Sequence, residues 1–313
     1  MPLRKRNAMA HIVNLGIFVA DCSFRTPRLP RIGETLLGQG FALGPGGKGS
    51  NQSVASAMAG GQVHFITRLG DDDFAAIARA VWSRAGVIPE VTVDRESFTG
   101  AAAIMVEAET GNNAIIVTPG AAARLTPADL DAQAGLIARA AVFMTQLEQP
   151  VEAALRGLQI ARAAGVATIL NPAPAAPLPA GMLALCDYLT PNETEAELLT
   201  GLPVTTLAEA EAAADALLAQ GVGAVVMTLG ANGALYRDRS QSFHCPALKA
   251  GPVVETTGAG DAFNGGFAVA LAEGRPLAEA VRFASATAGI SVTRPGAAAS
   301  MPARAEIEAL LAS

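Results

Sequence analysis

A chain of 313 residues with 51% hydrophobic and 16% charged residues can bury a substantial core, which excludes global disorder. A formal net charge of −6 argues against a nucleic-acid partner, and no run approaches the roughly 18 apolar residues of a membrane span. Cys22, Cys186 and Cys245 are widely spaced without a Cys-x-x-Cys pair, and His11, His64 and His244 lack metal spacing. Both observations fit a reducing, cytoplasmic protein without zinc.

In chain order, Met1-Pro-Leu-Arg4-Lys5-Arg6 imitates the start of a signal peptide, but the stretch behind it is interrupted by His11, Asn14 and Gly16. Met9 is a candidate start, leaving residues 1–8 as an expected disordered leader. Strands are expected over Ile12–Val19, Val63–Arg68, Val142–Leu147, Ala167–Leu170, Tyr188–Thr190 and Ala224–Leu229. Amphipathic helices are expected over Gly49–Ala59, Phe74–Ala85, Val151–Ala164 and Leu207–Gln220. This alternation predicts a single α/β domain over residues 1–313, with a mostly parallel central sheet between two helical layers. Two β segments interrupt it: residues 22–45, and a hairpin over residues 98–118 turning at Thr110-Gly111-Asn112-Asn113. They read either as edge strands or as a small lid that excludes water from a transfer site.

Chemistry concentrates in Glu255-Thr-Thr-Gly258-Ala259-Gly260-Asp261-Ala-Phe-Asn264-Gly, a glycine-rich turn opening an apolar run of helical period. Free N–H groups and the helix dipole make such a turn an anion site, and Asp261 adds a carboxylate able to accept a proton. The bland alternative is a plain helix cap. Gly44-Pro-Gly46-Gly47-Lys48-Gly49-Ser50-Asn51-Gln52 fits the dinucleotide G-x-G-x-x-G pattern, but it does not directly follow the first strand. As a phosphate loop of the Walker type it has Ala42 and Gly49 at the wrong positions. What remains is a tight turn presenting Lys48 and Asn51, suited to polyol hydroxyls or simply solvated. Asn171-Pro-Ala-Pro and Pro191-Asn192-Glu193-Thr194-Glu195 follow strands, where a ligand of a parallel sheet lies. Asn192 and Glu195 also have capping-box spacing, so a structural role competes with phosphate and metal binding. Thr228-Leu-Gly230-Ala-Asn232-Gly233 ends another strand, and Glu148 is a lone acid at the same edge.

Together and in this order, these motifs resemble the ribokinase-like (phosphofructokinase-B-type) family of carbohydrate kinases, from about Ile12 to Pro302. Gln146-Leu-Glu148 and Thr293-Arg-x-Gly296-Ala add to the likeness, on the ribokinase side of the family. The resemblance implies a three-layer α/β/α fold with a β lid, and MgATP-dependent phosphorylation of a sugar hydroxymethyl group, D-ribose foremost. Asp261 would be the general base and the N–H groups of Gly258, Ala259 and Gly260 the anion hole. Asp21, Gly47, Lys48, Asn51 and Glu148 would hold the sugar. ATP would lie along Asn192, Thr228, Gly230, Asn232, Gly233, Gly260 and Ser285, with Glu195 near Mg²⁺ through water. Potassium would bind at Glu255, the carbonyls of Thr257, Ser291, Arg294 and Gly296, and the Ser300 hydroxyl. The lid would also form a homodimer.

Three positions depart from the family pattern. Val19 stands where an Asn is usual, two residues before Asp21; Glu255 stands for an Asp; and Ser285 replaces a larger residue against adenine. A ketohexose, a sugar acid or a nucleoside is therefore an open alternative substrate. A non-catalytic sugar or nucleotide sensor on the same scaffold, and an oxidoreductase resting on Gly44–Gly49 alone, are readings of different classes.

Overall fold

The computed structural model describes residues 11–313, so the expected leader and the Met9 start lie outside the described residues. The chain runs β1 (His11–Leu15), β2 (Val19–Thr26), β3 (Gly40–Gly46), α1 (Lys48–Met58), β4 (Gln62–Leu69), α2 (Asp73–Ala85) and β5 (Ile88–Val93). It continues through β6 (Thr99–Glu107), β7 (Asn113–Gly120), α3 (Pro127–Ala132), α4 (Ala134–Ile137), β8 (Val142–Thr145), α5 (Val151–Ala163), β9 (Ala167–Leu170) and β10 (Tyr188–Leu189). Then come α6 (Glu193–Thr200), α7 (Leu207–Ala219), β11 (Ala224–Thr228), β12 (Ala234–Asp238), β13 (Ser242–Cys245), α8 (Ala259–Ala272), α9 (Leu277–Ser291) and α10 (Arg304–Ala312).

Nine strands form the main sheet in the order β13-β12-β11-β10-β9-β8-β1-β4-β5. Pairing is parallel from β5 to β11, and only β12 and β13 add antiparallel strands at one edge. The central strands are apolar on both faces because helices cover both. Val13, Leu15, Phe143, Leu170 and Val225 point into a core shared with α5 and α7. Their neighbours Ile12, Val142, Met144, Ile169 and Val226 point into a core shared with α8 and α9. Among the described residues, no helix is long and apolar enough to cross a membrane.

β3, β2, β6 and β7 form a separate four-stranded sheet, antiparallel except for the β2–β6 pair. The expected single strand Ile12–Val19 is in fact divided between the two sheets. It breaks where Gly16 passes α1: a Cβ on Gly16 would lie 2.7 Å from the Gly49 Cα, so the backbones touch there. The apolar run hides this break because Val13 and Leu15 before it and Ile17, Phe18 and Val19 after it are all buried. In the expected β segment 22–45, residues 27–39 form no strand.

α1 and α8 cross at close range: a Cβ on Gly265 would meet Ala55 Cβ at 2.5 Å. This contact brings the two glycine-rich helix starts to one end of the main sheet. The first two turns of α1 are buried although they carry Ser50, Asn51, Gln52 and Ser53. Buried polar groups require partners, and theirs lead into the site.

Candidate active site

α8 begins after Gly258, whose φ of 78° lies in the left-handed region. A Cβ there would also stand 2.9 Å from Ala297 Cβ, so the turn needs glycine on two counts. The Ala259 N–H turns back to the Thr256 carbonyl at 3.1 Å. Gly258 and Gly260 are thus better disposed than Ala259 to offer N–H groups to an anion. A Cβ built on Gly260 meets no heavy atom within 4 Å, so the turn opens into the adjoining cavity.

Asp261, in the first turn of α8, is 7% exposed. Its Oδ2 accepts from Asn51 Nδ2 at 3.0 Å and its Oδ1 from Gln52 Nε2 at 3.0 Å. Burial raises its pKa above the ordinary carboxylate value, while the Lys48 charge and both amide donors oppose the rise. Burial would lower the Lys48 ammonium, but Asp261, Glu148 and Glu195 outweigh it and hold the pKa above its usual value. A buried base next to a retained positive charge suits proton removal from an alcohol.

The second helix start faces this one. Gly47, with φ of 87°, caps α1, and the Lys48 N–H donates to Glu148 Oε2 at 2.7 Å. Burial pushes Glu148 up to about 7, against the Lys48 charge and N–H, which pull it down; Asp261 and Asp21 add to the rise. Asp21, on β2, is pushed up to about 6 by burial. Its carboxylate leans over Gly46, where a Cβ would lie 2.3 Å from either oxygen. Asp21, Gly47, Lys48, Asn51 and Glu148 thereby come from two sheets and one helix to the flank of Asp261.

A cavity of about 520 Å³ extends from Lys48 and Asp261 past Gly258, Ala259 and Gly260. Asn192, Glu195, Thr228, Gly230, Gly233 and Ser285, expected along a nucleotide path, line it together. Asn232 does not: its carbonyl accepts from His244 Nε2 at 2.6 Å, and it lines a neighbouring cavity of about 370 Å³. Leu248, Val253, Ala288 and Val292 supply an apolar wall that the motif reading missed. Leu248 and Val253 lie in an irregular segment before α8 without periodicity, which left no sequence signal for their place. Asn192 and Glu195 form the anticipated capping box: Asn192 N–H donates to Glu195 Oε2 at 2.9 Å, and Glu195 N–H to Asn192 Oδ1 at 2.8 Å. The cap uses one Glu195 carboxylate oxygen and the Asn192 side-chain oxygen, so it does not preclude a ligand at the other carboxylate oxygen and the Asn192 amide nitrogen. Burial raises the Glu195 pKa, with the Asn192 N–H and Lys48 opposing.

Of the expected cation ligands, Glu255 Oε2 accepts the Gly296 N–H at 2.8 Å, joining the two segments that would share the ion. The Ser291 carbonyl accepts the Arg294 N–H at 3.2 Å, and the Ser300 hydroxyl donates to the Ala297 carbonyl at 2.8 Å. The Arg294 side chain pairs outward with Glu306. Thr257 sits in the turn before Gly258 and is exposed. A carboxylate with carbonyl and hydroxyl oxygens is a hard donor set of the kind that suits such a cation.

The family profile for pfkB family carbohydrate kinase matches residues 9–304. The chain belongs to this family. It is 38% identical to a ribokinase of Haemophilus influenzae over 93% of this chain and 95% of the relative. It is 36% identical to a deoxyribokinase of Salmonella typhi over 93% of this chain and 95% of that one. In structure it matches Arabidopsis thaliana ribokinase complexed with ribose and ATP, with a TM-score of 0.91, 32% identity, and coverage of 97% and 99% of the two chains. This pfkB-family kinase thus has the α/β fold of the ribokinase structures, with its small second sheet.

Proposed function

We propose that this chain transfers the γ-phosphoryl group of ATP to the hydroxymethyl group of D-ribose, giving D-ribose 5-phosphate and ADP. The observation that carries the reading is the buried Asp261 carboxylate at an open helix start, beside Lys48. The sugar lies against Asp21, Gly47, Lys48, Asn51 and Glu148, whose carboxylates accept its hydroxyl hydrogens. Its hydroxymethyl oxygen attacks the γ-phosphorus and gives its proton to Asp261, while the bond to the bridging oxygen of ADP breaks. N–H groups at Gly258 and Gly260, with the α8 dipole, stabilise the charge on the transferring oxygens. When bound, Mg²⁺ would supply charge neutralisation on the phosphates, held near Glu195 through water. Release of ADP from ATP with a sugar panel tests the proposal; turnover of no sugar in the panel would leave the sensor reading in its place.

Three finer features go with it. Potassium at Glu255, Thr257, Ser291, Arg294, Gly296 and Ser300 is checked by comparing rates in potassium and in a bulky organic cation. A homodimer through the small sheet is supported by the exposed Phe24, Phe41, Leu43 and Ile116, and light scattering tests it. A reducing, cytoplasmic setting agrees with the free thiols of Cys22, Cys186 and Cys245, and fractionation tests it.

A second reading, 2-deoxyribose as the preferred sugar, is favoured by Val19. This residue is 4% exposed and shares a face of β2 with Asp21, two positions away. Beside the sugar carboxylate it offers a methyl surface and no hydrogen-bond partner, which suits an analogue lacking a hydroxyl. A deoxyribokinase is among the relatives. Val19→Asn is expected to shift the ratio of kcat/KM for ribose over 2-deoxyribose upward by about 10-fold, the scale of one buried hydrogen bond. An unchanged ratio would remove Val19 from the specificity argument.

A further inference from the structure

Buried side-chain amides connect the ends of four sheet strands to Asp261. Asn14, Gln52 and Gln146 are fully buried and Asn171 nearly so. Asn14 Nδ2 donates to the Gly49 carbonyl at 2.8 Å and to Ser53 Oγ at 2.9 Å. Its Oδ1 therefore faces Gln146, whose Nε2 donates to it at 3.0 Å and to Gln52 Oε1 at 2.5 Å. Gln52 is thus left with its Nε2 forward, donating to Asp261 Oδ1 at 3.0 Å and to Asn171 Oδ1 at 3.1 Å. Asn171 in turn donates from Nδ2 to the Thr190 carbonyl at 2.9 Å.

An amide is nearly symmetric in shape, so packing alone does not decide which end is oxygen. Here both ends of the series are decided by main-chain carbonyls, which only accept: Gly49 at one end and Thr190 at the other. Every amide between them has one consistent orientation, and turning any one of them would bring two donors or two acceptors together. We propose that Asn14, Gln146, Gln52 and Asn171 form a polarity-fixed relay that orients Asp261, with Gln52 as the positioning residue. The inference rests on the reading of Asp261 as the base. The relay presents a donor to one carboxylate oxygen, as Asn51 does to the other, so the carboxylate is held in one plane. The charged groups around it are Lys48 on α1, Glu148 after β8, Glu195 on α6 and Asp21 on β2. None of them donates a hydrogen bond to Asp261, so its orientation falls to the two amides.

Gln52→Glu keeps an acceptor for Gln146 but turns a second carboxylate toward Asp261. The expected result is an acid limb of kcat moved up by about one pH unit or more, from like-charge repulsion. Gln146→Met removes the donor that dictates the Gln52 orientation without touching Asp261. It is expected to lower kcat by up to about 10²-fold, the scale of a misplaced catalytic group, with KM for ATP held within about 2-fold. Gln149→Met is the control. Gln149 Nε2 donates to Thr145 Oγ1 and the Gln146 carbonyl, outside the relay, so its loss should lower Tm and leave the pH profile in place. If Gln52→Glu does not fold, Gln146→Met decides. A folded Gln146→Met enzyme with wild-type kcat and pH profile would overturn the relay, as would a Gln149→Met enzyme with an equal shift. Turnover by Asp261→Asn at near wild-type rate would defeat the base reading instead, which separates the two failures.

Discussion

Two glycine-rich helix starts lie side by side in this kinase and are used differently. At α1 the first N–H, from Lys48, is already taken by the Glu148 carboxylate at 2.7 Å. At α8 the turn opens into the cavity of about 520 Å³, with nothing within 4 Å of a Cβ on Gly260. Both have the dipole of an anion site, but at α1 the Ser50 N–H is also taken, by the Ile17 carbonyl at 3.1 Å. The difference is what stands in front: a protein carboxylate at one start and open space at the other, which on the proposed function would suit uncharged hydroxyls and phosphate respectively. A glycine-rich turn is thus only half of a site. The other half is what faces it, at α1 a residue 100 positions away in the chain.

The comparison breaks most severely at the base. Asp261→Asn keeps the shape but cannot take a proton, and its NH2 replaces one of the two oxygens that accept from Asn51 and Gln52, so kcat should fall about 10²–10⁴-fold with a smaller change in ATP binding. Steady-state kinetics with ribose and ATP reads this directly. Turnover within a few-fold of wild type would show that α8 supplies an anion cradle and nothing more.

Gly260→Ala sharpens the α8 side. Its methyl enters open space and the residue is helical, so Tm should be unchanged or slightly higher. The same methyl intrudes where phosphate would approach the turn, and kcat/KM for ATP should drop by about 10- to 10²-fold. Normal kinetics in a normally stable Gly260→Ala enzyme would move the phosphate away from the turn.

Much of this layout is legible in the sequence. The strand and helix periods locate β4, β9, α2, α5 and α7 to within a residue or two, because each buries a regular face. The Asn192–Glu195 capping box and the α8 turn announce themselves through local rules. What escapes is non-local. Ile12–Val19 reads as one strand because burial continues across the hand-over between sheets. Asn232 follows a strand like its neighbours, yet it ends a 3-10 turn facing another cavity while Gly230, at the start of the same turn, lines the main one. Asn14 and Gln146 look like ordinary residues at strand ends, since an amide's partner cannot be read from spacing. The apolar wall at Leu248 and Val253 comes from a segment with no period at all.

The smallest expected effect tests why Glu148 occupies the α1 start. A carboxylate at a helix N-terminus ordinarily stabilises, which would make Glu148 a cap. Burial argues the reverse, because its pKa is pushed up to about 7 from an ordinary 4.5. A carboxyl whose folded pKa is raised contributes stability below its unfolded pKa and loses that contribution as pH climbs through the folded value. The window here runs from about 4.5 to about 7. Ionised Glu148 therefore weakens the sugar-free enzyme at pH 8, and Glu148→Gln, which cannot ionise, escapes that penalty. The Tm of the variant relative to wild type should rise by about 2–4 °C between pH 5 and pH 8, while its affinity for ribose falls. A Tm difference that is flat, or moves the other way, would make Glu148 a cap that happens to touch the sugar. The expected slope would mean that the charge is kept at a cost to stability because the hydroxyls of the substrate need it.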